Sequence, residues 1–213
     1  MKKFIIALAI FLMSLSNAEA AEIDSVLYLG DSNVIYPLII LDDKEVAAKI
    51  NKEIRAEVQR LVNTVNESMA NGDFTSVAME IDYRIPCNHD GGLLSIILDQ
   101  YVNFEGSAHP SRYYRTLNFN SGTGERIWAS SLTEIGPAVN GEDYYSPGNI
   151  TRRLRAYVEK NNIVLFNDFQ QLNAVPEEFY FDDATHVHFI FQQGEIAAYA
   201  VGIIDLDDGV KTE

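Results

Sequence analysis

Cysteine is all but missing from this sequence: Cys87 is the only one. A lone thiol closes no internal disulfide, so stability must come from a packed core rather than from covalent staples. Cys87 follows an apolar, strand-like stretch, which favours a small buried filler over a reactive nucleophile or an intermolecular bridge. Positive charge is also scarce. Only 16 Lys and Arg stand against 31 Asp and Glu, a net charge of −15. Such a surface repels nucleic acid and anionic lipid, both of which bind through Lys/Arg clusters, so nucleic acid is excluded as a partner. GxSxG, HExxH, P-loop and dinucleotide-binding glycine patterns are absent, so no reaction is named and no cofactor is expected. There is no internal repeat or low-complexity tract.

Long apolar runs are missing too, except at the start. Lys2 and Lys3 precede an apolar run of 12 residues, Phe4 to Leu15, and Ala18-Glu19-Ala20 then supplies a small-x-small cleavage pattern. The run is too short for the ~20 residues that span a bilayer as a helix. Residues 1–20 therefore read as a signal peptide cut before Ala21, and the product as exported, periplasmic or extracellular, with no membrane span after cleavage. Removing Lys2, Lys3 and Glu19 leaves 14 basic residues against 30 acidic ones, a net charge near −16. A hydrophobic share of 47% argues for a folded core rather than disorder.

Val26 to Asp42 reads as extended chain with Pro37 at an edge or bulge. Asp42 or Asp43 caps a helix running to about Ala70. Val46, Ile50, Ile54, Val58, Leu61, Val62, Val65 and Met69 draw one apolar stripe, with Lys44, Lys52, Glu53, Arg55 and Glu57 largely off it. Beyond Asn71-Gly72-Asp73 the period falls to two. Strands are expected over Phe74 to Tyr83, Leu93 to Phe104 and Tyr113 to Asn120, with a loop at Asn88 to Gly92 and a turn at Ser121 to Gly124. Arg126 to Trp128 resumes an extended course. A short helix near Ser131 to Ile135 and a longer one from Pro147 or Asn149 to Asn161 follow. Phe179 to Phe181, His186 to Phe191 and Val201 to Leu206 close the chain as strands. The fold class is α+β, a mostly antiparallel sheet with a long N-terminal helix and a second helix packed on one face.

Several of these phrases are those of a known family. Val102-Asn103-Phe104-Glu105-Gly106-Ser107-Ala108-His109-Pro110, then Tyr113 to Phe119 and Thr123-Gly124-Glu125-Arg126-Ile127, resemble the "G-x-A-H … T-G" signature of the RsiV-type extracytoplasmic domain. Phe189 to Asp205 is similar to its closing segment, through Glu195 to Gly202, departing from it at Gly194 and Ala198, where an aromatic residue and a proline are common. The strand ending at Leu41 and the Asn51-bearing helix resemble the N-terminal module shared with the peptidoglycan deacetylase PdaC. The resemblance implies residues 21–105 as a PdaC-like module and 106–213 as an RsiV-like domain, together one compact unit. It also implies a binding role in the cell envelope, since relatives bind lysozyme or accompany cell-wall enzymes. The expected partner is thus a basic protein such as lysozyme, which the acidic surface suits, or peptidoglycan.

The residues expected to face a ligand are Gly106, Ser107, His109 and Tyr113. Glycine frees the loop and the imidazole offers a donor; in a plainer reading His109 hydrogen-bonds backbone and pins the loop. No catalytic residue is assigned, because no nucleophile and base stand together. His186 and His188 share one strand face, a half-built zinc site that wants a third ligand, so no metal is assigned. Asp182-Asp183 reads as a hairpin turn, and Asp205, Asp207 and Asp208 as a solvated acidic end. The leading expectation is a non-enzymatic binding module. The competing ones are a cell-wall hydrolase or deacetylase-associated enzyme using His109, and a structural envelope protein.

Overall fold

A computed structural model describes residues 20–72, 74–89, 92–135, 138–139, 142–184 and 186–207. Nearly all of the leader, and Asp73, Asp90, Gly91 and Asp208, lie outside the described residues.

The chain begins as a hairpin, β1 (Glu22–Tyr28) and β2 (Asp31–Ile40), turned at Leu29-Gly30, where both residues hold positive φ. From the sequence alone this hairpin is one extended stretch, because a leucine is an unusual occupant of a left-handed turn position. Pro37 is tolerated because β2 meets β3 at a single bridge, Val34 to Ile81, and beyond it pairs with β1 alone. The backbone of Ile39 instead pairs with an amide side chain: Asn51 Oδ1 accepts from its N–H and Asn51 Nδ2 donates to its carbonyl, both at 2.8 Å.

Asn51 belongs to helix α1 (Lys44–Ala70), whose N-cap Asp43 accepts from the N–H groups of Glu45 and Val46. The apolar stripe is buried as its spacing requires, with Val46, Ile50, Ile54, Val58 and Leu61 in the core against the sheet and Val65 buried one turn further on. Each such side chain contributes roughly 1.5–3 kcal/mol when fully buried. Glu57 corrects the sequence reading. It is buried rather than off the stripe, three residues after Ile54 and four before Leu61. α1 is the crossover that makes β2 and β3 parallel neighbours.

β3 (Val77–His89), β4 (Leu93–Phe104) and β5 (Ser111–Asn120) follow as an antiparallel meander. β3 runs further than its alternation suggests, because an irregularity between Arg84 and Cys87 shifts the register and breaks the period. After β5 the chain turns through Gly124 at φ +73°, where an added Cβ would sit 3.1 Å from the Val46 carbonyl oxygen. Then come α2 (Ala129–Ile135), the short pair β6 (Ala138–Val139) and β7 (Glu142–Asp143), and α3 (Pro147–Lys160), capped by Ser146. β8 (Phe179–Phe181), β9 (Val187–Phe191) and β10 (Ile204–Asp207) close the chain. Residues 199–201 form a 3-10 turn, so the last strand starts later than the apolar run at Val201 suggests.

Among the described residues the strands form a five-stranded sheet in order β1-β2-β3-β4-β5, a three-stranded sheet β10-β9-β8, and the pair β6-β7. The α+β class holds, and the mostly antiparallel pairing with it. Where the sequence suggests one sheet with both helices together, there are two main sheets and two main cores. α1 packs with Leu94, Ile96, Leu98, Leu117 and Phe119. α3 packs through Ile150, Leu154 and Val158 with Phe179, Phe181, Phe189 and Phe191. Alternation decides this, since successive residues of β4 and β5 point to opposite faces. The division drawn between residues 105 and 106 falls in the β4–β5 loop, inside the larger sheet.

Candidate functional site: a groove beside Trp128

Among the described residues no further strand pairs along the outer edge of β5; one bridge, Phe119 to Arg126, and several side chains close it instead. Gln193 Oε1 accepts from the Arg112 N–H at 2.9 Å, and Gln192 bonds both the N–H and the carbonyl of Tyr114. Glu178 Oε2 accepts from the Thr116 N–H at 2.7 Å, and Arg126 Nη2 donates to the Thr116 carbonyl at 3.3 Å. Ile127 then donates to the Asn118 carbonyl at 2.7 Å. Unpaired strand edges invite another chain, and this one is blocked along its length.

Below that edge lies a buried polar seam joining the two sheets. Thr116 Oγ1 accepts from the Phe179 N–H, Asn118 Nδ2 donates to the Phe179 carbonyl at 2.7 Å, and Ser95 Oγ accepts from the Phe181 N–H. The larger sheet thus reads the backbone of β8 with side chains. Glu178 also pairs with Arg115, whose Nε stands 2.8 Å from Glu57 Oε1. Burial pulls the Arg115 guanidinium down, and the two carboxylates more than restore it.

Beside this network opens a groove of about 560 Å³, lined by Arg126, Trp128, Ala129, Ala174, Val175 and Glu177 among others. Trp128 is the chain's single tryptophan and is 54% exposed. The Arg126 guanidinium lies over its ring, 4.1 Å from the centroid. Among the described residues the Arg126 side chain makes one hydrogen bond, to Thr116, and no ion pair. Burial, followed by the charge of Arg115, holds it below the usual arginine range. An underused cation and an exposed aromatic ring in one groove can receive a ligand that has an acceptor group and a flat or apolar body. None of the residues expected from sequence to face a ligand points to this groove. Its signal was the pairing of Arg126 with the only tryptophan just after a glycine turn.

The four residues expected from sequence fall elsewhere, and none lines the groove. Gly106 takes φ +85° in the β4–β5 loop, and Ser107 Oγ donates to the His109 carbonyl at 3.2 Å. The His109 ring stacks on Tyr199 with centroids 3.8 Å apart, while the Tyr199 hydroxyl donates to the Pro110 carbonyl. The His109 ring therefore stacks against Tyr199, while backbone carbonyls of the loop take the hydrogen bonds from Ser107 and Tyr199. Tyr113 is half-buried against the α1 core, and burial raises its pKa, with the charge of Glu178 adding to the effect.

His186 and His188 do share one face. His186 Nδ1 and His188 Nε2 lie 3.3 and 3.6 Å from Asp182 Oδ2. On its other nitrogen His188 meets Asp205 at 2.9 Å, and Asp205 also accepts from the Tyr180 hydroxyl at 2.7 Å. Asp205 is thus a strand residue with two partners, which corrects its reading as part of a solvated end. Burial lowers the His188 pKa, but the hydrogen bond and charge of Asp205, then Asp207 and Asp182, outweigh that and raise it. Among the described residues no group of three or more His, Cys, Asp or Glu side chains is arranged to hold a metal ion. Asp182 forms the β8–β9 turn, accepting from the His186 N–H at 2.8 Å. Cys87 is fully buried, and burial with the charges of Asp183 and Asp182 pushes its thiol up to about 12.

These features define an α+β protein with a partly apolar groove at the closed edge of its larger sheet. No family model matches the chain, and no curated protein does. Among solved structures it is similar to a DUF3298 family protein from Pseudomonas aeruginosa PAO1, with a TM-score of 0.58 and 14% identity over 91% of each chain. At that identity the likeness is one of fold.

Proposed function

We propose that this chain is an exported, non-enzymatic binding module of the bacterial cell envelope that takes a cell-wall component in the groove beside Trp128. The observation that carries this reading is the pairing there of an exposed indole with a half-buried guanidinium that has no ion-pair partner among the described residues. Export rests on the leader, and no described helix is long and apolar enough to cross a membrane. The RsiV-type and PdaC-type phrases of the sequence support an envelope role, and the fold likeness to a DUF3298 family protein is compatible with it.

Incubation of the purified protein with peptidoglycan sacculi tests the reading. Co-sedimentation is expected, and Ala174→Trp, which fills the groove from an exposed position, should remove it. Equal retention of wild type and variant, or of neither, would count against the groove as the receiving site.

The net charge of −15 favours a second ligand, a basic protein such as lysozyme. Charge complementarity of that kind mainly speeds association and makes binding salt-sensitive. Calorimetric titration with c-type lysozyme at low salt decides it, and no heat removes lysozyme. The enzyme reading, a hydrolase using His109, requires product release from peptidoglycan that His109→Ala abolishes.

A further inference from the structure

The groove also carries information about the chemistry of its ligand. Arg115, which lines it too, is engaged by Glu57 and Glu178. Arg126 feels the charges of Glu57, Glu53 and Glu178 only at longer range and forms no ion pair with a described carboxylate, and among the described residues its side chain makes a hydrogen bond to Thr116 alone. A guanidinium offers a planar fork that matches the two oxygens of a carboxylate. A single guanidinium without an ion pair, one of its nitrogens already on the Thr116 carbonyl, suits one negative charge. A phosphate dianion or a polyanion would meet the exposed Glu177 at the same groove and the −15 charge of the whole chain. The remaining walls are largely apolar, with Trp128, Ala129, Pro147, Ala174 and Val175. Pockets of this kind hold an apolar body and fix its orientation through a few polar groups.

We infer that the groove binds a small organic monocarboxylate, its carboxylate on Arg126 and its apolar or ring-shaped body along Trp128. This rests on the groove being the receiving site, and it names the ligand's chemistry. Two envelope sources share that chemistry: the C-terminal end of a short peptide and the acid group of a sugar acid.

Trp128 reports occupancy directly, because no other tryptophan contributes to the emission. The full chain is titrated with N-acetyl-Ala-Ala and with N-acetylmuramic acid, each beside its carboxamide, while tryptophan fluorescence is followed. At least one acid should give a saturable change, and its amide should bind roughly tenfold or more weakly, as loss of a charge-assisted hydrogen bond implies. Which acid binds identifies the source. Arg126→Gln should weaken the acid to the level of the amide, and Arg126→Lys should recover part of the loss. Circular dichroism confirms folding, and Ala174→Leu, which narrows the groove without adding a second indole, gives a second route to the same loss without touching Arg126. Equal binding of acid and amide overturns the inference, as does indifference to Arg126→Gln. Refusal of both acids by a protein that still sediments with sacculi overturns it as well, while leaving the binding-module reading in place.

Discussion

Glu178 Oε2 accepts two hydrogen bonds from Thr116, 2.7 Å from the backbone nitrogen and 2.9 Å from the hydroxyl. One carboxylate thereby ends the free edge of β5, while its other oxygen holds Arg115. Replacing Glu178 by Ala orphans the Thr116 N–H and leaves Arg115 with Glu57 alone. Breaking a buried pair of this kind costs about 3–5 kcal/mol. A shift of the urea midpoint to lower concentration at unchanged m is expected, and a shift under half a kcal/mol would show that the network contributes little.

Asn118 joins the two sheets by donating to the Phe179 carbonyl and accepting from Ser95 Oγ at 2.7 Å. Asn118→Ala removes both contacts in a buried seam, and each unsatisfied buried group costs about 1–3 kcal/mol. Asn118→Asp should be no better, because the lost donor faces a carbonyl. Thermal melts of the two variants check this.

Gly124 sits at φ +73° with the α1 backbone close by. Gly124→Ala meets a left-handed conformation costing roughly 1–2 kcal/mol for an L-residue, and a contact at 3.1 Å besides. Gly106 also has positive φ but nothing within 4 Å of its added Cβ, so Gly106→Ala should cost less. Chemical denaturation of the pair separates conformational strain from crowding.

The thiol of Cys87 is buried and its pKa is pushed up to about 12, so at pH 8 almost none of it is thiolate. Aromatic disulfide reagents should leave the native protein unmodified and titrate one thiol after denaturation. Rapid labelling of the native state would contradict this placement.

His188 gives the pH prediction. Its folded pKa is raised above the ordinary 6.5 by the carboxylates of Asp205, Asp207 and Asp182, with the Tyr180 hydroxyl also in contact. A raised pKa means the folded state holds the proton more tightly than the unfolded one. The stabilisation is therefore complete below about pH 6.5 and is lost as pH rises through the higher folded value. The stability difference between wild type and His188→Gln should shrink as pH rises from 6 to 9. A difference that grows over that range would reverse the sign. Titration of the His188 ring by NMR locates the midpoint directly.

The sequence by itself determined the elements. Periodicity of three and four placed α1 and its buried stripe, period two placed β5 and much of β3, and Asp43, Pro147 and the glycine turns marked where helices and hairpins begin or stop. It also placed Cys87 inside and Asp182 in a turn. All of these are local patterns, expressed within one or two turns of chain. Tertiary structure alone decided how the elements meet. Glu178 reaches Thr116 across 62 residues and Gln192 reaches Tyr114 across 78, and no local periodicity encodes such a contact. The same holds for the candidate site. The loop of Gly106 and His109 stood out because its residues are adjacent in sequence, yet it is pinned by Tyr199. The groove beside Trp128 gathers residues 115–133, Pro147 and 174–179. It exists only because two sheets pack so that the edge of one is closed by side chains of the other.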